Sequence, residues 1–349
     1  MDLTHTRRRR LNLLYMFMLL GIVLGGAYGT AVGVLMEGTL GPHVLFHGTL
    51  RGCFTGLLVS GAIAAFELYV VEGANGLRRR PFWQLLAIKE VVYIGAILNG
   101  DWLGSALLGT PGDPGSGWNR ITAITFFFSV GFALLINFVM EMSMLLGPGV
   151  LGNMLRGRYH RPRQERRLMV FFDMCGSTAI AEKIGDMAFH SLLNRFFVDL
   201  TEAVLAWGGV VHKYVGDEMI VTWALDSGGR NPAGAYAAVR EAHRRFACQA
   251  ERYRRDFGVS PDFRAVLHAG PVIAGEMGEV KREIVLLGDT VNTTAKIETV
   301  AKTLPGNIVA SAEALAAAAL PEGMTSRYLG SFPLPGKSAP VALYSITER

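Results

Sequence analysis

Charge is almost missing from the first part of this chain and ordinary in the rest. Between residues 11 and 146, only 13 of 136 residues are charged. Over all 349 residues the charged share is 18% and the hydrophobic share 50%, against about 25% charged in a soluble domain. A wholly soluble globular protein is therefore not expected, and the length allows two domains. The expected division is 1–150 in a bilayer, a basic juxtamembrane linker over 151–166, and a soluble domain over 167–349.

Four stretches are long enough to cross a bilayer, for which roughly 20 residues suffice. Residues 11–36 carry no charge but Glu37 just beyond, 52–71 carry Glu67, and 121–146 carry Glu141. The stretch 82–108 is weaker, interrupted by Lys89, Glu90 and Asp101. The first run is 26 residues, too long for the apolar core of a cleaved signal peptide. Arginines sit at 7–10, at 78–80 and from Arg156 onward, whereas the other two loops hold only Arg51 and Arg120. Positive residues remain on the cytoplasmic side. A multi-pass cell-membrane protein follows, with the N-terminus and the soluble domain both in the cytoplasm.

The net charge of +5 is explained by this topology, so no nucleic-acid partner is expected. The intramembrane groups Glu67, Lys89, Glu90 and Glu141 fall in the cytoplasmic half of the bundle. Such groups are costly, and Lys89 is expected to pair with a glutamate between helices. Snorkelling is an equal alternative for Glu67 and Glu141. His43 and His47 have helical spacing but lack the third ligand that a metal site needs. The cysteines Cys53, Cys175 and Cys248 are scattered and indicate neither a disulfide framework nor zinc.

After Arg167 the pattern changes. LMVFFDM reads as a buried strand ending at Asp173, followed by a turn-like CGST and a helical stretch to Trp207. VVHKYVGDEMIVTW reads as a hairpin hinged at Gly216–Asp217, then a helix over about 232–257 and the strand FRAVLHAG. The order β-α-β-β-α-β is ferredoxin-like, so the fold class is a transmembrane helical bundle plus an α+β domain. In that topology strand one lies antiparallel to strand three, which brings Asp173 and Asp217 to one sheet end. Paired carboxylates there suit Mg²⁺, an oxygen-seeking ion that keeps phosphate and water ligands. The segment DMCGST leads backbone N–H groups into a helix N-terminus, a cradle for phosphate. GSFPLPGKS at 330–338 is not a P-loop: its glycines are too far apart and a strand follows.

FFDMCGST, KYVGDEMIVTW, FRAVLHAGPVIAGEMG and LLGDTVNTTAKIE, in this order, resemble the motifs of class III nucleotidyl cyclases, the adenylate and guanylate cyclases. The resemblance covers about 167–346 and none of the membrane part. It implies a head-to-tail homodimer with sites at the interface. One copy supplies the metal ligands, here Asp173, Asp217 and the carbonyl of Met174, for two Mg²⁺ per site, with Mn²⁺ as a substitute. Ser177 and Thr178 lie in the phosphate segment. The other copy supplies the base-recognising Lys213, the ribose-orienting Asn292 and, four residues on, the transition-state cation Lys296. Lys337 is a candidate triphosphate contact, with an exposed turn lysine as the equal alternative.

Two positions depart from the family pattern. Lys296 stands where arginine is usual and lacks the bidentate fork. Val285 stands where an acceptor for the adenine amine is usual. Lys213 still favours adenine, so ATP is the expected substrate. The alternatives are a catalytically weak or inactive nucleotide-binding signalling domain, or a cyclase acting on GTP. A diguanylate cyclase is disfavoured because GDEM lacks the doubled glycine of that family's hairpin.

Overall fold

The computed structural model describes residues 3–38, 41–71, 82–108, a few positions between 126 and 138, residue 157, and residues 159–225, 232–280 and 282–348. The chain divides into two compact units, Met1–Leu145 and Leu146–Arg349, each described by itself.

The first unit contains α1 (Leu3–Glu37), α2 (Pro42–Ala65) and α3 (Phe82–Leu108), and α2 continues as a π-helical stretch, Phe66–Val71. Pro42 opens α2, where its fixed φ suits a first helical turn. Helices α1 and α2 approach closely along facing glycines. A β-carbon at Gly52 would stand 2.1 Å from the Gly25 carbonyl oxygen, and one at Gly56 would stand 2.0 Å from that of Gly21. Small residues permit this backbone contact, as in membrane helix pairs. Beside it the Thr30 and Thr49 hydroxyls lie 2.6 Å apart.

Two helices among the described residues, rather than four, are long and apolar enough to span a membrane: Phe17–Leu35 and Leu45–Ala65. Their large side chains, including Leu19, Val23, Leu35 and Phe46, are exposed, unlike those of a soluble core helix. The third expected span is helical throughout, but Lys89, Glu90 and Asp101 dilute its apolar character. The fourth, 121–146, lies largely outside the described residues, as does Glu141. The expected ion pair is present: fully buried Lys89 places Nζ 3.1 Å from Glu67 Oε1. The Tyr93 hydroxyl donates to the same oxygen. Asn137 Nδ2 donates to Glu90 Oε1 at 2.9 Å.

The second unit is built on one mixed sheet. Its strands are β1 (Arg163–Met174), β2 (Val210–Val215), β3 (Glu218–Ala224), β4 (Phe263–Met277), β5 (Glu283–Leu287), β6 (Ile308–Ser311), β7 (Met324–Phe332) and β8 (Val341–Glu348). The order is β2-β3-β1-β4-β6-β8-β7, with β5 paired to β4. Strand β1 is antiparallel to both β3 and β4, as the ferredoxin-like reading requires. It begins at Arg163, within the segment read as linker, because Arg163 to Arg167 continue the ladder with Ala274 to Gly270.

Alternation along β1 divides the core. Leu168, Val170, Phe172 and Met174 pack toward α5 (Asp186–Ala206) and α6 (Gly234–Phe257). Short α4 (Ser177–Ile184) and α8 (Ala312–Ala317) also add side chains to that layer. Met169 and Phe171 face the other way, against Val272, Ala274 and Leu286 of the β4–β5 hairpin. Helix α7 (Asp289–Ala301) lies on this second face, with Ile297 packed on Val266 and Val309. A period of two along the strand produces both contacts.

Candidate active site

Asp173 is on the second face of β1, in the same alternation as Met169 and Phe171, and it is buried. Its register partner is Glu218, the residue after Asp217. The β2–β3 connection has two residues, Gly216 and Asp217, between paired Val215 and Glu218. Gly216 has φ +61, the sign that the first central position of a II′ hairpin turn requires. The turn therefore puts Asp217 beside the exit of β1, and the two expected metal carboxylates meet at one sheet end.

Two further carboxylates and a lysine join them. Lys302, which caps α7, places Nζ 3.1 Å from Asp173 Oδ2 and 2.9 Å from Glu298 Oε1. Burial raises the Asp173 pKa, Lys302 opposes the shift, and Asp217 and Glu298 add to it. Glu218 is pushed up to about 8, first by burial and then by Glu298 and Asp173. Its Oε1 is buried without a hydrogen-bond partner. The cluster thus carries more acceptor capacity than Lys302 satisfies, which fits an oxygen-seeking divalent cation. Among the described residues no three His, Cys, Asp or Glu side chains form a ready metal site. The carbonyl of Met174, nucleotide oxygens and water would have to complete the shell.

Beyond β1, Gly176 is left-handed at φ +68 and caps α4 without a side-chain bond. The first amides of α4, at Ser177 and Thr178, therefore lack a side-chain acceptor from the cap position. Burial raises the Cys175 thiol pKa, the opposite of what a reactive thiolate needs.

Lys213 reaches the site face by regular pairing back from the turn, where Val215, Tyr214 and Lys213 oppose Glu218, Met219 and Ile220. Val211 pairs with Val221, which faces the helices, whereas Lys213 pairs with Ile220 on the opposite face. His212 is the extra residue of a β-bulge between them, and the bulge re-aims the strand. Counted back from the turn, it is Val211 that the bulge returns to the helix face, while Lys213 keeps the face of Ile220. Its Nζ lies 3.7 Å from Glu283 Oε2 on β5, and both side chains are solvent-accessible. Val285 pairs with Gly275 two residues further along β5.

Asn292 and Lys296 are four apart on α7 and so share one face. A β-carbon at Gly336 would stand 3.5 Å from Lys296 Nζ, so that ammonium lies against the β7–β8 connection. The same connection holds Lys337, which pairs with Asp289 at the start of α7 and lowers that carboxyl's pKa. His268 lies within β4 and bonds Ser311 at 2.8 Å, as a sheet-face residue.

The structure therefore gathers the chosen residues into three groups: Asp173 with Asp217, Lys213 near β5, and Asn292, Lys296 and Lys337 around α7. Sequence reasoning passed over Glu218, Glu283, Glu298 and Lys302. Glu218 had a signal in its adjacency to Asp217, and Glu298 and Lys302 had one in their four-residue spacing. Glu283 had none.

This sheet, with an acidic end opposite a hairpin-bearing face, is the catalytic fold of nucleotide cyclases. The chain belongs to the adenylate and guanylate cyclase catalytic domain family, whose pattern matches residues 160–348. Adenylate cyclase 2 of Rhizobium meliloti is 35% identical over 212 residues, 61% of this chain and 58% of that protein. An uncharacterized protein of Mycobacterium tuberculosis is 32% identical over 158 residues, 44% of this chain and 28% of its own length. The chain thus matches less than two thirds of either relative. A bacterial light-regulated adenylyl cyclase shares the fold, with a TM-score of 0.55 at 17% identity over 69% of this chain and 72% of that one.

Proposed function

We propose that this protein is a membrane-anchored adenylate cyclase, converting ATP to cyclic AMP and pyrophosphate at sites shared by two copies of the chain. The observation that carries this reading is the register of Asp173 opposite Glu218, which seats Asp217 beside it in a cluster with unsatisfied acceptors. The exposed apolar side chains of α1 and α2 support anchoring in a bilayer. Four spans with both ends in the cytoplasm remain the topology we favour.

Asp173, Asp217 and the Met174 carbonyl would hold Mg²⁺ or Mn²⁺. Bound there, such ions supply charge that acidifies a hydroxyl and neutralises a leaving oxyanion. The chain's own residues do the rest. The amides of Ser177 and Thr178 receive phosphate oxygens at the start of α4. From the second copy, Lys213 donates to the base and Asn292 orients the ribose. The ribose 3′-oxygen attacks the α-phosphorus, the bond to the bridging oxygen breaks, and pyrophosphate leaves as the 3′ proton is lost. Lys296 offers a prepositioned cation to the charge that develops, and Lys337 a contact to the triphosphate.

The test is product formation by the full chain with ATP or GTP and Mg²⁺ or Mn²⁺. Cyclic AMP that disappears with Asp217→Ala supports the enzyme. The competing reading, a nucleotide-binding signalling domain, is favoured by Lys296 in place of arginine; nucleotide binding without product would establish it. Cyclic GMP as the main product would establish the GTP alternative.

A further inference from the structure

On the reading above, the base site lacks an acceptor, because Val285 cannot receive the adenine amine. We infer that Glu283 supplies it, making Glu283 and Lys213 together the specificity pair for the base. Strand β5 alternates: Ile284 and Leu286 pack on the core while Glu283 and Val285 project from its other side. Two residues from the deficient position, Glu283 brings Oε2 to 3.7 Å from Lys213 Nζ. That separation is an ion pair, longer than a good hydrogen bond, so donor and acceptor stand side by side. Both are exposed enough to meet a ligand, at 54% and 38% of their side-chain surface.

The pairing matches adenine. Its Watson–Crick edge offers a donor at the 6-amino group and an acceptor at N1, as enzymes that read a base by that edge require. A carboxylate takes the first and an ammonium donates to the second. Guanine carries an acceptor at position 6 and donors at N1 and the 2-amino group, so it meets the pair only in reversed order. Glu283 accordingly sits on the Val285 side, where the 6-substituent is read.

The test compares ATP with purine riboside triphosphate, which differs only in lacking the 6-amino group. Both kcat/KM and displacement of a fluorescent ATP analogue from the full chain in detergent are measured. The parent protein should favour ATP by roughly tenfold or more, as expected where a polar site loses its partner. Glu283→Ala should bring that ratio near one, Glu283→Gln should keep most of it, and Glu283→Ala with Val285→Thr should restore it. An unchanged ratio in Glu283→Ala overturns the assignment. Binding that discriminates without turnover would leave Glu283 assigned while the cyclase reading fails. Binding of neither nucleotide would sink both.

Discussion

Lys302 holds its ammonium 3.1 Å from Asp173 Oδ2, inside the carboxylate cluster. It balances part of the negative charge from Asp173, Asp217, Glu218 and Glu298, and it stands where a metal ion would compete with it. Lys302→Met should lower thermal stability without metal by about 1 kcal/mol, the range for a half-exposed pair. It should also enlarge the Tm gain on adding Mn²⁺. Thermal unfolding with and without Mn²⁺ reads both effects; an equal metal-induced gain in parent and variant would show that Lys302 does not compete.

A site shared between two copies, as proposed, predicts a complementation result. Asp217→Ala and Asn292→Ala should each abolish activity in a homodimer. Mixed at equal amounts they should recover about a quarter of parental turnover, because half of the dimers are mixed and each keeps one of two sites. Proven heterodimers without recovered cyclic AMP would refute the two-chain arrangement.

On the proposed mechanism Lys296 offers charge without the paired donors of a guanidinium. Lys296→Arg should raise kcat roughly severalfold with little change in KM, since the added hydrogen bond forms as charge develops. Steady-state kinetics with ATP decide it, and an unchanged or reduced kcat counts against the role.

Burial lowers the pKa of three histidines in the catalytic unit. His212 falls to about 4, with Arg167 and Lys213 adding to the effect of burial, and His243 and His268 shift in the same direction. His243 also leaves Nε2 buried and unpaired. The unfolded chain binds these protons near pH 6.5, the folded one only at lower pH. Their contribution is therefore complete above pH 6.5 and lost as pH falls, for His212 down to about pH 4. Each adds a slope of up to about 1.4 kcal/mol per pH unit. Glu218, held up to about 8, acts in the opposite sense over the same range, so the readout is a difference. In urea unfolding between pH 7.5 and 5, His212→Gln should retain more stability at the acid end than the parent does.

The glycine contact between α1 and α2 has no room for a side chain. Gly52→Leu should push the helices apart, since even a β-carbon would lie 2.1 Å from the Gly25 carbonyl. With Thr30→Cys and Thr49→Cys as reporters, oxidation should crosslink the parent background and fail in the Gly52 variant. Equal crosslinking would show that the contact tolerates bulk.

The parts of this molecule legible from sequence were those fixed by local pattern. LMVFFDM is an apolar run ended by turn formers, Gly216–Asp217 is a turn pair between β-rich runs, the 232–257 helix is an amphipathic stretch closed by Gly258, and each lies where expected. Gly185 was less visible: it divides one expected helix into α4 and α5. Strand β4 runs on to Met277, beyond the expected strand FRAVLHAG. Pro271 is tolerated between the part of β4 that pairs β6 and the part that pairs β5, an edge-like position suited to a residue without an N–H. The contacts of Lys302 with Asp173 and of Glu283 with Lys213 join residues far apart in sequence, and only the folded register brings them together.

The two-residue turn at Gly216–Asp217 means that loop length, rather than side-chain identity, fixes the face on which Lys213 stands. Adding one residue between Lys213 and Gly216 would swing that ammonium through half a revolution into the oily layer beneath the helices, whereas losing His212 would only straighten the strand. A relative with a lengthened hairpin would therefore keep its lysine in print and, on the proposed reading, be blind to the base.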